Sequence, residues 1–115
     1  MIDLHTHTTF SDGTDTPTQL INKALAAGIT TIALTDHDSI SGWQEATSAL
    51  RPGICLVPGA EVSCQTLDGI SVHILGLLFD SSNTALIDTL EKTRENRYGR
   101  MEKIIAKINE AGIDI

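Results

Sequence analysis

The spacing of apolar residues at the start of the chain predicts first a strand and then a helix. Residues 1–7 alternate with a period of two, so that their apolar members share one face of a predicted strand and His5 and His7 share the other. After a polar loop, residues 16–19 (Thr-Pro-Thr-Gln) have the spacing of a capping box with proline at the first helical position. This pattern predicts a helix, and Gly28 is expected to end it.

The same alternation of strands and helices continues along the chain. Residues 30–35 are β-branched and apolar enough for a buried strand, and residues 54–57 predict another. Between them, residues 41–44 (Ser-Gly-Trp-Gln) repeat the capping-box spacing and predict a helix that reaches about Leu50. We expect Glu61 just past the end of the third strand. The order β-α-β-α-β is typical of an α/β fold with a mainly parallel sheet and flanking helices.

The remaining pattern predicts a hairpin or strand pair followed by helix. Residues 62–65 and 70–79 read as two strands around a glycine-containing turn, with His73 inside the second. Residues 83–111 have a helical pattern, either as one long helix or as two helices broken near Gly99. Four apolar residues give the second half of this segment a predicted core face: Met101, Ile104, Ile105 and Ile108.

Composition narrows the class of protein. With 115 residues, 41% of them hydrophobic, the chain is one domain at most, and no stretch approaches the ~18 apolar residues of a membrane span. Its first residues lack the cationic and apolar regions of a secretory signal, so the expected localisation is cytoplasmic. Cys55 and Cys64 are in no CxxC spacing, and we interpret both as free thiols that contribute to packing.

The net charge limits the partners that can be expected. A formal charge of −7 argues against an extended nucleic-acid track, because neutralising many phosphates needs clustered lysine and arginine. The same charge is compatible with phosphate chemistry, since bound divalent cations supply positive charge locally and an acidic shell suits them.

Histidines and acids gather at the predicted strand ends. His5 and His7 leave one strand face and can converge on a single ion, although two exposed polar residues are an equally ordinary interpretation. Asp12 lies in a Ser-Asp-Gly turn, where an aspartate often serves only its own backbone. His37 stands between two aspartates, which can fix the tautomer of a ligating imidazole or simply mark a helix entry.

Two further candidates lie in apolar surroundings. Glu61 must there be paired, protonated or metal-bound, and its two oxygens can bridge ions about 3.5–4 Å apart. His73, which we expect to be enclosed by apolar neighbours, would alone more often be a hydrogen-bonded core residue than a ligand. The joint arrangement changes this balance, because all four histidines fall within or at the ends of predicted strands and none falls on a helix. We therefore predict a metal site.

Four segments carry a resemblance to a known family. They are residues 5–13 (His-Thr-His-Thr-Thr-Phe-Ser-Asp-Gly), 35–38 (Thr-Asp-His-Asp), 58–63 (Pro-Gly-Ala-Glu-Val-Ser) and 72–76 (Val-His-Ile-Leu-Gly). In this order they resemble the first four motifs of the PHP (polymerase and histidinol phosphatase) family. Within it, the opening motif and the long helix with its arginines look most like the bacterial nucleoside 3',5'-bisphosphate phosphatase and 5'-to-3' exoribonuclease group.

The resemblance implies a fold and a set of ligands. The family fold is a distorted (β/α)7 TIM-like barrel of the metal-dependent hydrolase type, with two or three divalent ions of manganese, iron or zinc, or alternatively magnesium. By resemblance, His5 and His7 hold one ion, which Glu61 bridges to a second. The other ligands follow in the same way: His73 on the second ion, and Asp12 with His37 on a third.

The resemblance also implies that residues 1–115 form only the N-terminal part of a single PHP domain. Family members supply a further histidine and a late Asp-x-His pair from later strands, and we expect these C-terminal strands and ligands to be absent here. The last strand would then present an open barrel edge, through which the chain could associate with itself.

These features predict a metal-dependent phosphoesterase that hydrolyses a phosphomonoester or a nucleotide 5' end. A metal-bound hydroxide is the expected nucleophile, because no Gly-x-Ser-x-Gly elbow and no cysteine next to a histidine is present. The expected partner is a small phosphorylated substrate or a nucleotide, and no membrane association is expected. The alternative is a truncated, non-catalytic metal-binding or assembly module.

Phosphate recognition beyond the ions would need arginine. Arg94 and Arg97 precede the apolar face of the last predicted helix at spacings of three and four, so they extend its inward face. We predict Arg97, together with Arg94, as the phosphate contact, with an ion pair to a helix glutamate as the alternative. Arg100 forms another stripe with two lysines, which we interpret as plain surface.

Overall fold

The computed structural model describes residues 1–115 as a single curled sheet with helices against it. Strands β1 and β2 pair in parallel, as do β2 and β3, whereas β3 and β4 pair antiparallel, in the order β1-β2-β3-β4. The predicted α/β fold with mainly parallel strands is therefore confirmed. The seven elements follow in this order: β1 (Ile2–Thr6), α1 (Pro17–Ala26), β2 (Thr31–Leu34), α2 (Trp43–Ser48), β3 (Cys55–Gln65), β4 (Ser71–Leu77) and α3 (Thr84–Glu110).

Helix α1 begins and ends as the sequence predicts. The Thr16 side chain accepts a hydrogen bond from the backbone of Gln19, and the Gln19 side chain accepts one from the backbone of Thr16. Gly28 follows the helix with a φ of 77°, a conformation that glycine adopts without a steric penalty. One face of α1 then packs on β2, and the small core combines Ile21 with residues of β2, α2 and the start of β3.

Helix α2 begins differently from the prediction. Its N-cap is Gly42, which makes no side-chain cap, and the helix ends at Ser48 rather than near Leu50. The predicted capping box at Ser41 is therefore wrong. A side chain on residue 42 would approach Leu34 and other neighbours at 3.1–3.2 Å, so the close packing of this turn decides the helix start.

Strand β3 continues past the predicted end at residue 57 and carries Glu61 within it. Residues 55–58 pair in parallel with β2, and residues 59–65 pair antiparallel with β4. Gly59 marks the change of partner, because a Cβ built there would lie 2.7 Å from the backbone oxygen of Gly76. The predicted hairpin is confirmed, but its first strand is the second half of β3 rather than a separate strand.

Helix α3 is a single helix, which settles the alternative of a break near Gly99. Asn83 caps it by accepting a hydrogen bond from the backbone of Leu86. The predicted core face is wrong, since Met101 is 53% exposed and Ile104 is 46% exposed. These two side chains line a cavity beside the sheet. They are exposed because no element of the chain packs extensively against α3.

Both cysteines are free thiols, but their predicted role in packing is wrong for Cys55, which is exposed, while Cys64 is half-buried. Cys55 is the first residue of β3, where its side chain is exposed to solvent. None of the helices combines the length and the apolar character that crossing a membrane requires.

Candidate metal centre

The fold brings the four histidines of the chain together in a row. His7 follows the end of β1, and His37 follows β2 and makes an isolated bridge with Glu61. Neighbouring rings in the row have centroids 5.1, 4.7 and 4.9 Å apart. The row runs in this order: His5, His7, His37 and His73. The predicted position at the carboxyl ends of parallel strands holds for His7 and His37, whereas Glu61 and the last histidine lie inside the β3–β4 ladder.

Glu61 stands at the centre of the row. Its Oε2 lies 2.8 Å from Nε2 of His5 and 3.0 Å from Nε2 of His7, and its Oε1 lies 2.9 Å from Nδ1 of His73. The residue is only 8% exposed. A single buried carboxylate therefore faces two imidazoles from β1 and the residue after it, and a third from β4.

The electrostatic balance at Glu61 favours the ionised carboxylate. Burial, the largest single influence, raises its pKa, but hydrogen bonds from His5 and His73 and the charges of His37 and His5 outweigh that effect. The net result is a pKa below the ordinary value of 4.5. At neutral pH Glu61 is therefore a charged acceptor with both oxygens turned toward imidazoles.

Asp12 contacts the two middle histidines of the row. One carboxylate oxygen lies 3.3 Å from Nδ1 of His7 and the other lies 3.5 Å from Nε2 of His37. Asp12 is thus not confined to its own turn, because it reaches across to a histidine 25 residues later in the chain. Its side chain is 67% exposed, so it forms the solvent-facing side of the group.

The arrangement fits divalent cations on two counts. Three overlapping groups each bring their ligand atoms within 4.8 Å of one another: His5–His7–Glu61, His7–Asp12–His37 and His37–Glu61–His73. Mixed imidazole and carboxylate donors suit zinc, iron and manganese. The cluster therefore indicates divalent metals.

Two expectations about individual histidines are corrected. The aspartates beside His37 do not fix its tautomer, because Asp36 and Asp38 direct their carboxylates to other partners. The ring of His73 is not enclosed, since its side chain is 42% exposed. Alternation explains the second correction: the strand presents His73 to the cavity beside the sheet, away from the apolar neighbours that precede and follow it.

The predicted arginines lie beside this cluster. Arg97 donates hydrogen bonds to Asp38 and to the hydroxyl of Ser63, so its partner is a buried acid in the turn after β2 and not a helix glutamate. Arg94 lies near Ser39, with 3.4 Å between guanidinium and hydroxyl. Both arginines line a cavity of about 850 Å³, which also reaches His37 and His73.

Part of this cavity was not predicted from the sequence. Arg100, interpreted as plain surface, is exposed and also lines the cavity, and two aromatic residues, Phe10 and Tyr98, line it too. The spacing of three residues between Arg94, Arg97 and Arg100 was the available signal, since such a series follows one side of a helix. No local pattern connected Phe10 with α3.

Comparisons with known proteins agree with this geometry. The family model described as PHP domain matches residues 3–114. A 5'-3' exoribonuclease of Haemophilus influenzae is 40% identical over 112 residues, covering 96% of this chain and 40% of its own. A 3',5'-nucleoside bisphosphate phosphatase of Chromobacterium violaceum is 42% identical over 113 residues, covering 97% and 39%.

Solved structures show the same likeness. An amidohydrolase from Chromobacterium violaceum, with bound sulfate and no metal, superposes with a TM-score of 0.88 at 42% identity, over 99% of this chain and 40% of that one. A proposed metal-dependent phosphoesterase from Bifidobacterium adolescentis superposes with a TM-score of 0.86 at 35% identity, over 95% and 38%. The chain thus spans about two fifths of the length of the relatives it matches.

Proposed function

The chain belongs to the PHP domain family, and from that premise we propose that it carries the metal-binding part of a phosphoesterase that hydrolyses a phosphomonoester or a nucleotide 5' end. Residues 1–115 would be the N-terminal part of one PHP domain. The observation that carries the proposal is the contact of one buried carboxylate, Glu61, with His5, His7 and His73. Such a convergence of good metal ligands has no evident structural purpose in so small a core.

The grouping of donor atoms supports an assignment of ligands. His5 and His7 would hold one ion with one oxygen of Glu61, and His73 would hold a second ion with the other oxygen. Asp12 would complete a third position with His37, which its 3.5 Å distance from Nε2 supports. The mixed donor set suits manganese, iron and zinc, with magnesium as the alternative.

When bound, divalent ions would lower the pKa of a water molecule and polarise a phosphoryl oxygen. The side chains of this protein hold and orient the reactants. Glu61 stays ionised because its pKa is low, so it does not compete for the proton that water releases. The histidine row fixes the donors along one line, which leaves the open side of the cavity for the phosphate and its leaving alkoxide.

Arginines on α3 support phosphate binding on that open side. Arg97 is held by Asp38 and Ser63, so its guanidinium is already oriented when a phosphate arrives. Arg94 and Arg100 line the same cavity without a carboxylate partner in the chain. Three guanidinium groups in one cavity favour a ligand with more than one negative charge, such as a nucleotide.

Aromatic side chains favour a nucleotide over a smaller phosphate ester. Phe10 and Tyr98 line the cavity and are 42% and 60% exposed, so their rings are available to contact a base. By their names, one of the relatives above is a 5'-3' exoribonuclease, which acts on RNA, and the other is a phosphatase that acts on nucleoside 3',5'-bisphosphates. Adenosine 3',5'-bisphosphate is therefore the first substrate to test.

A direct experiment is phosphate release from adenosine 3',5'-bisphosphate by the full chain supplied with manganese. Release that disappears in Glu61→Gln and persists in Asp88→Asn, an exposed acid on α3, would support the proposal. If the chain binds metal but releases no phosphate, the second candidate, a non-catalytic metal-binding or assembly module, would take its place.

Exposed apolar residues on β4 and α3 favour the assembly module among the two forms of that second candidate. Ile74 on the edge strand β4 is 56% exposed, and Met101 on α3 is 53% exposed. An edge strand with exposed apolar side chains can pair with another copy of itself. Sedimentation of the chain over a range of concentrations would decide this: a dimer supports association through β4, and a monomer at every concentration excludes it.

A further inference from the structure

Two buried acids on either side of His37 make the same unusual contact with two different neighbours. Asp36 accepts hydrogen bonds from both the backbone N–H and the hydroxyl of Thr8, each at 2.7 Å. Asp38 accepts the same pair from Ser63, at 2.7 Å from the N–H and 2.8 Å from the hydroxyl. Both acids are 1% exposed. In each case a carboxylate clasps one residue through two parallel bonds.

Each clasped residue stands next to a candidate ligand. Thr8 follows His7 directly, and the third donor to Asp36 is the hydroxyl of Ser11, at 2.7 Å, beside Asp12. The Asp36 clasp therefore fixes the loop that carries two of the candidate metal ligands, His7 and Asp12.

The second clasp fixes the other side of the cluster. Ser63 pairs in register with His73 and lies two residues after Glu61 on the same face of β3. The backbone N–H of Asp38 also donates to the carbonyl of Glu61 at 3.1 Å. The third donor to the Asp38 carboxylate is Arg97, which links α3 to the same residue.

We propose that Asp36 and Asp38 are positioning residues, each of which holds the ligands of one neighbouring strand in place against His37. The proposal rests on the proposed function in that the histidines are taken to be metal ligands. His37 lies between the two acids in sequence, so the three residues 36–38 that follow β2 hold the ligand-bearing segments on both sides. The Asp36 clasp sets His7 and Asp12, and the Asp38 clasp sets Glu61 and His73.

The physical reason lies in the burial of both charges. A carboxylate out of water needs all its acceptor positions filled, and each of these two has three donors aimed at it. Replacing Asp by Asn keeps the shape but removes the charge and puts an amide NH2 group in place of one acceptor oxygen. The amide can then accept from the N–H or from the hydroxyl of the held residue, but not from both, so the hold on that residue weakens.

The test uses the ring signals of histidine in the metal-free full chain, labelled on histidine alone. The chain has only four histidines, and all four lie in the cluster, so the spectrum reports on the site and nothing else. We expect Asp36→Asn to move the signals of His7 and His37 and leave His73 in place. We expect Asp38→Asn to move the signals of His37 and His73 more than those of His5, which contacts the displaced segment only through Glu61.

The control is Asp88→Asn on the exposed face of α3, which should move none of the four signals. Unchanged spectra in both clasp variants would overturn the proposal, and so would an identical displacement of all four signals by either one, since that indicates a general loss of structure. If a variant fails to fold, Thr8→Val and Ser63→Ala remove the hydroxyl half of each clasp and must give the same two separate patterns.

Adding zinc separates this proposal from the proposed function. In the original chain zinc should shift the histidine signals, and its affinity should fall by about tenfold or more in each clasp variant, as for other residues that orient ligands. Absence of any zinc effect in the original chain would count against the metal centre. The two patterns of displacement in the metal-free chain would still decide whether Asp36 and Asp38 position the cluster.

Discussion

Glu61 and His73 face each other diagonally across the β3–β4 ladder, with 2.9 Å between Oε1 and Nδ1. The register pairs Glu61 with Leu75 and His73 with Ser63, and side chains two positions apart on neighbouring strands point to the same face. The antiparallel hairpin therefore delivers the last histidine to a cluster that the parallel strands begin.

Removing His73 should weaken the binding of one ion and leave the others. In His73→Ala, Glu61 loses its partner at Oε1 but keeps its contacts at Oε2, so one group of donors is lost. We expect zinc titrated by calorimetry to show one binding step fewer than the original chain. Ser71→Ala, which lines the same cavity from the same strand, is the control and should keep every step. An unchanged titration of His73→Ala would contradict the assignment.

Arg97→Ala should weaken the binding of adenosine 3',5'-bisphosphate to the chain with metal added. Hydrogen bonds to charged groups contribute about 1.5–3 kcal/mol, which corresponds to a loss of affinity of about tenfold or more. Arg51→Ala, which removes an exposed arginine from the loop after α2, should have no effect. Equal affinities of Arg97→Ala and Arg51→Ala, measured by calorimetry, would show that Arg97 only ties α3 to Asp38.

The low pKa of Glu61 predicts a pH dependence of the free energy of unfolding. The carboxylate is easier to ionise in the folded chain, so its contribution to stability is fully present above the ordinary pKa of 4.5 and is lost as the pH falls through its lower folded value. Urea unfolding of the metal-free chain should therefore show a fall in stability below about pH 4.5 that is smaller in Glu61→Gln. The same slope in both proteins would contradict the pKa assignment.

Two glycines should respond in opposite directions to alanine. At Gly59 a Cβ would lie 2.7 Å from a backbone oxygen of β4, so Gly59→Ala must separate the strands and should cost about 1–3 kcal/mol. At Gly99, inside α3, a Cβ meets nothing within 4 Å. Gly99→Ala should therefore stabilise the chain by about 0.5–1 kcal/mol. Thermal unfolding measures both changes. An unchanged stability of Gly59→Ala would contradict this account of β3, and a fall in Gly99→Ala would contradict the account of α3.

The parts of the fold that follow local rules could be predicted from the sequence. The capping box at Thr16, the stop at Gly28 and the order of strands and helices depend on neighbouring residues, and the structure confirms them. His7 and His37 could be selected because the ends of parallel strands place them at one edge of the sheet.

The errors arose where distant contacts decide the outcome. Strand β3 runs through Pro58 and Gly59 because β2 pairs with Pro58 and β4 pairs with Gly59. The local sequence, which is rich in strand breakers, does not show these pairings. The exposure of Met101 depends on what packs against α3, and a helical stripe cannot specify its partner. The two acids beside His37 looked like its partners, but the structure gives them Thr8 and Ser63.

The metal content of the chain tests the central claim most directly. We predict two or three equivalents of manganese, iron or zinc per purified chain by elemental analysis, with less in His5→Ala and Glu61→Ala. Both variants remove contacts at the carboxylate that joins the cluster. Less than one equivalent in the original chain, with no further loss in either variant, would contradict the metal centre.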